Sequence, residues 1–144
     1  TEGDGMGVEV NWLAVLLATL STMVVGSIWY TPKVFGETWM RLVKLDRKKA
    51  QTMGIRPILI TLVVSFLSAY VLAHVAYLSN AFFGNSFLQD SLSTAFWLWL
   101  GMVAARMITH DAFEGRPSQL TVINIAHELV TFLVMGLIIG LFAP

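Results

Sequence analysis

The sequence contains no cysteine, and only 12% of its 144 residues are charged. The absence of cysteine excludes disulfides, thiolate metal ligands and thiol nucleophiles. The low charge is unusual, because a soluble domain is about 25% charged and about 45–50% apolar. Here 56% of the residues are apolar, and the mean hydropathy is +0.72. A lipid bilayer is the solvent that such a composition suits.

Motifs of the common enzyme classes are also missing. The sequence has no GxSxG, no HExxH, no phosphate-binding loop and no dinucleotide fingerprint. The pair His127–Glu128 lacks the second histidine of a zinc-binding helix, and the three histidines are scattered along the chain. We therefore expect no catalytic residue, no metal site, no cofactor and no enzymatic activity. Nucleic-acid binding is not expected either, since one basic loop is its sole support.

Four stretches reach the roughly 20 apolar residues that cross a hydrocarbon core. They cover residues 10–30, 58–78, 87–108 and 120–142. The third is the weakest, because its start contains Asp90, Ser91, Ser93 and Thr94. Residues 1–5 precede Met6 and are interpreted as an expression remnant, which leaves 6–144 as a single polytopic domain. The predicted fold class is an all-α integral membrane four-helix bundle.

The basic residues are concentrated between the first two apolar stretches. This loop holds seven of the nine cations, whereas the loop between the second and third stretches holds none: Lys33, Arg41, Lys44, Arg47, Lys48, Lys49 and Arg56. Lys and Arg near membrane segments favour the cytoplasmic side. We therefore predict a multi-pass protein of a bacterial inner or plasma membrane, with both termini outside.

The basic loop has an internal pattern of its own. Pro32 ends the first helix, and Phe35, Trp39 and Leu42 recur at helical spacing. This pattern predicts a short amphipathic helix at the membrane surface between the first two membrane helices, and Asp46 is placed to cap a second short helix. The cations would attract anionic lipid headgroups, or they would only fix the topology. The candidate interfacial contacts are Trp29, Tyr30, Phe35, Trp39, Arg41 and Lys44.

Small residues recur every four positions in each apolar stretch, a spacing that lets membrane helices approach closely. The four ridges consist of Ala14, Ala18, Thr22 and Gly26; Thr61, Ser65, Ala69 and Ala73; Ser93, Gly101 and Ala105; and Gly136 and Gly140. The pattern does not say whether a ridge faces its own bundle or a second copy. We expect a homo-oligomer, because small bundles often associate.

Glu128 is the acid placed deepest in an apolar stretch, and ionisable groups at membrane depth are candidate functional residues. Asn124 shares its helical ridge, and His127 flanks it. Arg106, near the end of the third stretch, is placed to reach towards Glu128. The patch Glu128, His127, Asn124 and Arg106 either binds a proton, cation or polar solute, or serves only to lock the bundle.

Two stretches resemble a known family. Residues 26–36 read GSIWYTPKVFG, with Asn11-Trp12 before them and Trp39-Met40 after them, and residues 115–130 read GRPSQLTVINIAHELV. Both resemble segments of the bacterial and fungal membrane proteins grouped as domain-of-unknown-function family seventeen sixty-one. The resemblance extends over nearly the whole chain from Val10. It implies a small polytopic membrane protein and carries no activity with it.

Two functions remain open from the sequence. The first is a non-enzymatic membrane component that forms oligomers or complexes, since packing residues dominate and reactive groups are few. The alternative is a small transporter or channel for ions, protons or solutes that uses the Glu128, His127 and Asn124 patch. A lipid-modifying enzyme is a weaker third possibility, because no reactive constellation is present.

Overall fold

A computed structural model describes residues 7–144, in which every regular element is a helix. Residues 1–5, which the sequence suggests are a remnant, lie outside this range. The elements are α1 Trp12–Trp29, α2 Gly36–Val43, α3 Arg47–Thr52, α4 Arg56–Phe83, α5 Phe87–Leu98, a π-helical segment Trp99–Ala104, α6 Ala105–Phe113 and α7 Ser118–Leu141. The predicted short helices between the first two membrane helices are confirmed as α2 and α3. The Asp46 carboxylate caps α3 by accepting from the Lys49 N–H at 2.6 Å.

Four helices are long and apolar enough to cross a membrane, which confirms the predicted fold class. They are α1, α4, the continuous run Phe87–Phe113 and α7, with mean hydropathies of 1.8, 2.3, 1.3 and 2.1. The third has the lowest value, as its polar start predicts. In the described chain, α1 and the α5 run each pack between α4 and α7.

The bundle is tightly packed at one end and looser at the other. We call the end with α2, α3 and the α6–α7 turn the basic end, and the opposite end, where α1 starts and α7 finishes, the far end. In α4 all the buried residues, Ala69, Leu72, Ala73 and Ala76, lie in the half towards the far end. The run from Trp99 to Phe113 buries only Ala104. The packing of α4 and of the run from Trp99 to Phe113 is therefore looser towards the basic end.

The ridge of Gly136 and Gly140 faces the same bundle. A Cβ on Gly136 would lie 2.9 Å from Ala95 Cβ, and one on Gly140 would lie 2.8 Å from Leu88 Cα. The glycines thus let α7 approach α5 closely, and the contact that the sequence left open is made within the chain. The expected ridge Ser93, Gly101 and Ala105 is wrong as the packing face, because α5 buries Asp90, Ser91, Thr94 and Ala95 instead.

The polar start of α5 is explained by hydrogen bonds at the far end. Asp90 is only 2% exposed. Its carboxylate accepts from Asn80 Nδ2 at 2.9 Å and from Asn85 Nδ2 at 3.0 Å. Nearby, Asn11 Nδ2 donates to the Phe142 carbonyl at 3.0 Å and links the start of α1 to the end of α7. These contacts hold the far end closed.

Candidate site: a polar cavity between α1, α4 and α7

The corner between α1 and α2 is built around Gly36. This glycine is buried, and its N–H donates to the Thr31 carbonyl at 2.8 Å. A Cβ at this position would overlap the Tyr30 carbonyl oxygen and approach the Thr31 carbonyl carbon within 2.7 Å. The tight turn lets the Phe35 ring stack on Trp29, with ring centres 4.6 Å apart. Only glycine fits at this point of the chain.

Trp29 and Tyr30 dock the corner onto α7. Trp29 Nε1 donates to the Ile123 carbonyl at 3.2 Å, and the Tyr30 hydroxyl donates to Asn124 Oδ1 at 2.7 Å. The Tyr30 ring also lies 4.9 Å from the His127 ring and 5.3 Å from the Trp39 ring, measured between centres. The candidate interfacial residues are therefore divided. Trp29, Tyr30 and Trp39 are partly buried, while the side chains of Phe35, Arg41 and Lys44 are exposed.

A cavity of about 570 Å³ lies beside this corner, between α1, α4 and α7. Each helix contributes residues over about eight positions, for example from Thr22 to Tyr30 in α1 and from Ile60 to Ser68 in α4. At about 1.5 Å per residue the cavity is roughly 12 Å deep. Its volume falls in the range of small-molecule sites, about 300–1,000 Å³.

Glu128 and His127 both line the cavity. His127 Nδ1 lies 3.6 Å from Glu128 Oε1, which is beyond hydrogen-bond distance, and the Glu128 side chain is 32% exposed. Within residues 7–144, His127 is the one basic side chain that lies within 4 Å of the Glu128 carboxylate, and this carboxylate accepts no hydrogen bond from a protein donor. Asn124 is held by Tyr30 just beyond His127. Of the four predicted patch residues, three are brought together here.

Arg106 is the predicted patch residue that does not join them. Its side chain is exposed on α6, and it neither lines the cavity nor pairs with an acid in the described residues. The expected approach of Arg106 to Glu128 is therefore wrong. One physical reason is the π-helical segment before α6, because each extra residue in a helical turn rotates the rest of the helix by roughly 100°. In the same segment, Trp99 Nε1 donates to the Ile125 carbonyl at 2.9 Å.

Sequence reasoning did not assign the hydroxyl side chains to the site. Thr22 Oγ1 and Ser65 Oγ are 2.9 Å apart across the gap between α1 and α4. Both belong to small-residue ridges, and they do make the predicted contact between α1 and α4. The cavity lies beside this contact, where the α4 ridge consists of Thr61 and Ser65 rather than of alanine. The six serine and threonine residues of the cavity are Thr22, Ser27, Thr61, Ser65, Ser68 and Thr131.

Phe132 separates this cavity from a second one. The second cavity measures about 280 Å³ and lies between α4, the π-helical segment and α7. Ser68 and Phe132 border both cavities, and Phe132 is only 8% exposed. The second cavity has apolar walls apart from Ser68. The polar groups are thus confined to one side of Phe132.

Comparison with known proteins identifies a family, but no individual protein that resembles the chain. The family model described as "Protein of unknown function (DUF1761)" matches residues 13–140. No curated protein matches the chain, and no solved structure matches it. The match spans the corner, all four long helices and the residues that line the polar cavity.

Proposed function

The chain belongs to the DUF1761 family of unknown function, and we propose from its cavity that it is a non-enzymatic membrane protein that binds and carries a small polar solute. The observation that carries this proposal is a 570 Å³ cavity at membrane depth, lined by Glu128 and His127. An acid at this depth is expensive to maintain. Its exposure to a cavity, without a protein hydrogen bond, favours a ligand-binding role over a purely structural one.

The asymmetry of the bundle also supports transport. A carrier must close its site on one side while it opens on the other. The far end is held by Asp90 and by the Gly136 and Gly140 contacts, whereas the cavity occupies the half near the basic end. This arrangement is the one expected of a carrier in a state that is closed at the far end.

Flux measurements test the proposal directly. We expect proteoliposomes with the wild-type chain to take up a member of a panel of small cations, amines and neutral polar solutes. Glu128→Gln should reduce that flux to the level of empty liposomes, because the charge in the cavity is lost while the shape is kept. Glu37→Gln is the matched control, since Glu37 is exposed on α2 and does not line the cavity; it should retain wild-type flux.

Equal flux in the Glu128→Gln and wild-type proteins would overturn the proposal, as would the absence of flux for the whole panel. A role in assembly, the other function considered from the sequence, would then be favoured. One argument for assembly is weaker than the sequence suggested, because Gly136 and Gly140 pack against α5 of the same chain. The homo-oligomer stays a prediction.

We further propose that the basic end faces the cytoplasm, where its exposed cations contact anionic lipid headgroups. Cysteine labelling tests the orientation. Phe82 is 82% exposed at the far end of α4, and Lys48 is exposed on α3. Phe82→Cys should react with an impermeant maleimide on intact cells, and Lys48→Cys should react only after the cells are lysed. The reverse pattern would place the basic end outside.

A further inference from the structure

The charges around the cavity indicate the sign of its ligand. Among the described residues that line it, Glu128 is the one acid and no Lys or Arg is present. An ionised carboxylate at membrane depth needs a counter-charge. Arg106, which the sequence offered for this role, lies elsewhere. The cavity therefore lacks a permanent cation of its own.

The hydroxyl groups add a second, independent preference. Ser27 Oγ donates to the Met23 carbonyl at 2.7 Å, and Thr61 Oγ1 donates to the Pro57 carbonyl at 2.7 Å. Thr131 Oγ1 likewise donates to the His127 carbonyl at 2.9 Å. A hydroxyl has one proton and two lone pairs. With their protons used on the backbone, these groups offer a ligand acceptors only, and they favour a ligand rich in N–H donors.

His127 does not supply the counter-charge of Glu128 by a direct contact. Its Nδ1 lies 3.6 Å from Glu128 Oε1, which is beyond hydrogen-bond distance. The Glu128 carboxylate therefore stays free to accept from a ligand.

We infer that the cavity takes a monovalent organic cation, an ammonium group on an apolar body, which donates to the Glu128 carboxylate. The inference rests on the proposed carrier function and names its substrate class. Ammonium N–H groups suit both the carboxylate and the hydroxyl acceptors, while Met23, Val64, Phe132 and Met135 provide apolar walls. A metal ion is not favoured, because no group of three His, Cys, Asp or Glu forms in the described residues.

Calorimetry with three matched probes tests the inference on the full chain in nanodiscs of neutral lipid. The probes are 2-phenylethylammonium, neutral 2-phenylethanol and anionic phenylacetate, and heats from empty nanodiscs are subtracted. We expect only the ammonium to bind saturably at pH 8. Its affinity should fall about tenfold or more in Glu128→Gln, because a hydrogen bond to a charged group is stronger than one to a neutral amide. Glu37→Gln should bind like the wild type.

A second variant tests the cavity without touching Glu128. Ser65→Phe, which fills the cavity without a change of charge, should abolish binding of 2-phenylethylammonium. It serves as the second test if Glu128→Gln fails to fold, as judged by size-exclusion chromatography.

Two contrary results separate this inference from the carrier proposal. Saturable binding of the alcohol or of phenylacetate, sensitive to Ser65→Phe, with no binding of the ammonium, would overturn the cation assignment and leave a polar-solute carrier in place. No binding of any probe, together with no flux for the solute panel, would overturn both.

Discussion

Gly36→Ala is expected to destabilise the protein by more than about 3 kcal/mol, since adding a methyl group to a packed site costs about 1–3 kcal/mol even where side chains can yield. The new Cβ would overlap the carbonyl groups of Tyr30 and Thr31, which are main-chain atoms of the same turn. This overlap can be relieved only if the turn between α1 and α2 opens. Trp29 and Tyr30 would then lose their hydrogen bonds to α7, and the wall of the cavity would move with them.

The measurement is unfolding in detergent micelles, followed by far-ultraviolet circular dichroism and by tryptophan fluorescence. Gly101→Ala is the matched control, because a Cβ on Gly101 meets no atom within 4 Å. We expect it to change stability by less than about 1 kcal/mol, as surface substitutions usually do. If Gly36→Ala unfolds at the same denaturant concentration as the wild type, the corner is not packed as described.

Asp90→Ala is expected to cost roughly 3 kcal/mol, because hydrogen bonds to a charged group contribute about 1.5–3 kcal/mol each. The substitution removes the acceptor of two amides, those of Asn80 and Asn85. The Asn80 amide then keeps only the Asn85 carbonyl as an acceptor, at 2.8 Å. The link between the end of α4 and the start of α5 should loosen, and the far end should open to water.

The same unfolding assay measures this effect, and hydrogen exchange at the α4–α5 turn locates it. The control is Glu114→Ala, which removes an exposed carboxylate paired with Arg116 at 2.8 Å. Exposed ion pairs contribute about 0–1 kcal/mol. Equal stability losses in the two variants would show that Asp90 is not a structural anchor, and faster exchange confined to the basic end would contradict its assigned place.

Composition and periodicity predicted the fold well because they act locally. Each apolar side chain favours the bilayer through its own chemistry. Four long runs of such side chains therefore predict four membrane helices. The α2 and α3 helices follow from local signals too, namely Pro32, the spacing of Phe35 and Trp39, and the Asp46 cap. Nothing in these signals says how far apart two helices lie at a given depth.

The candidate site shows where that limit falls. Glu128, His127 and Asn124 were predicted together because they share one helix, and they do lie together. Arg106 was placed near Glu128 from sequence positions alone, and no ion pair between them forms in the described residues. Ser65 and Thr22 read as packing residues, and they do meet between α1 and α4, yet they also line the cavity.

The sequence by itself therefore determined the four long apolar helices, the basic end, the short helix after Pro32 and the acid within the fourth apolar stretch. Each of these depends on the chemistry of neighbouring residues along one chain segment. Only the tertiary structure decided that Glu128 faces a cavity rather than an arginine, and that the bundle packs more closely at one end than at the other. Those outcomes depend on the angles and distances between helices, which are set by packing among residues far apart in sequence.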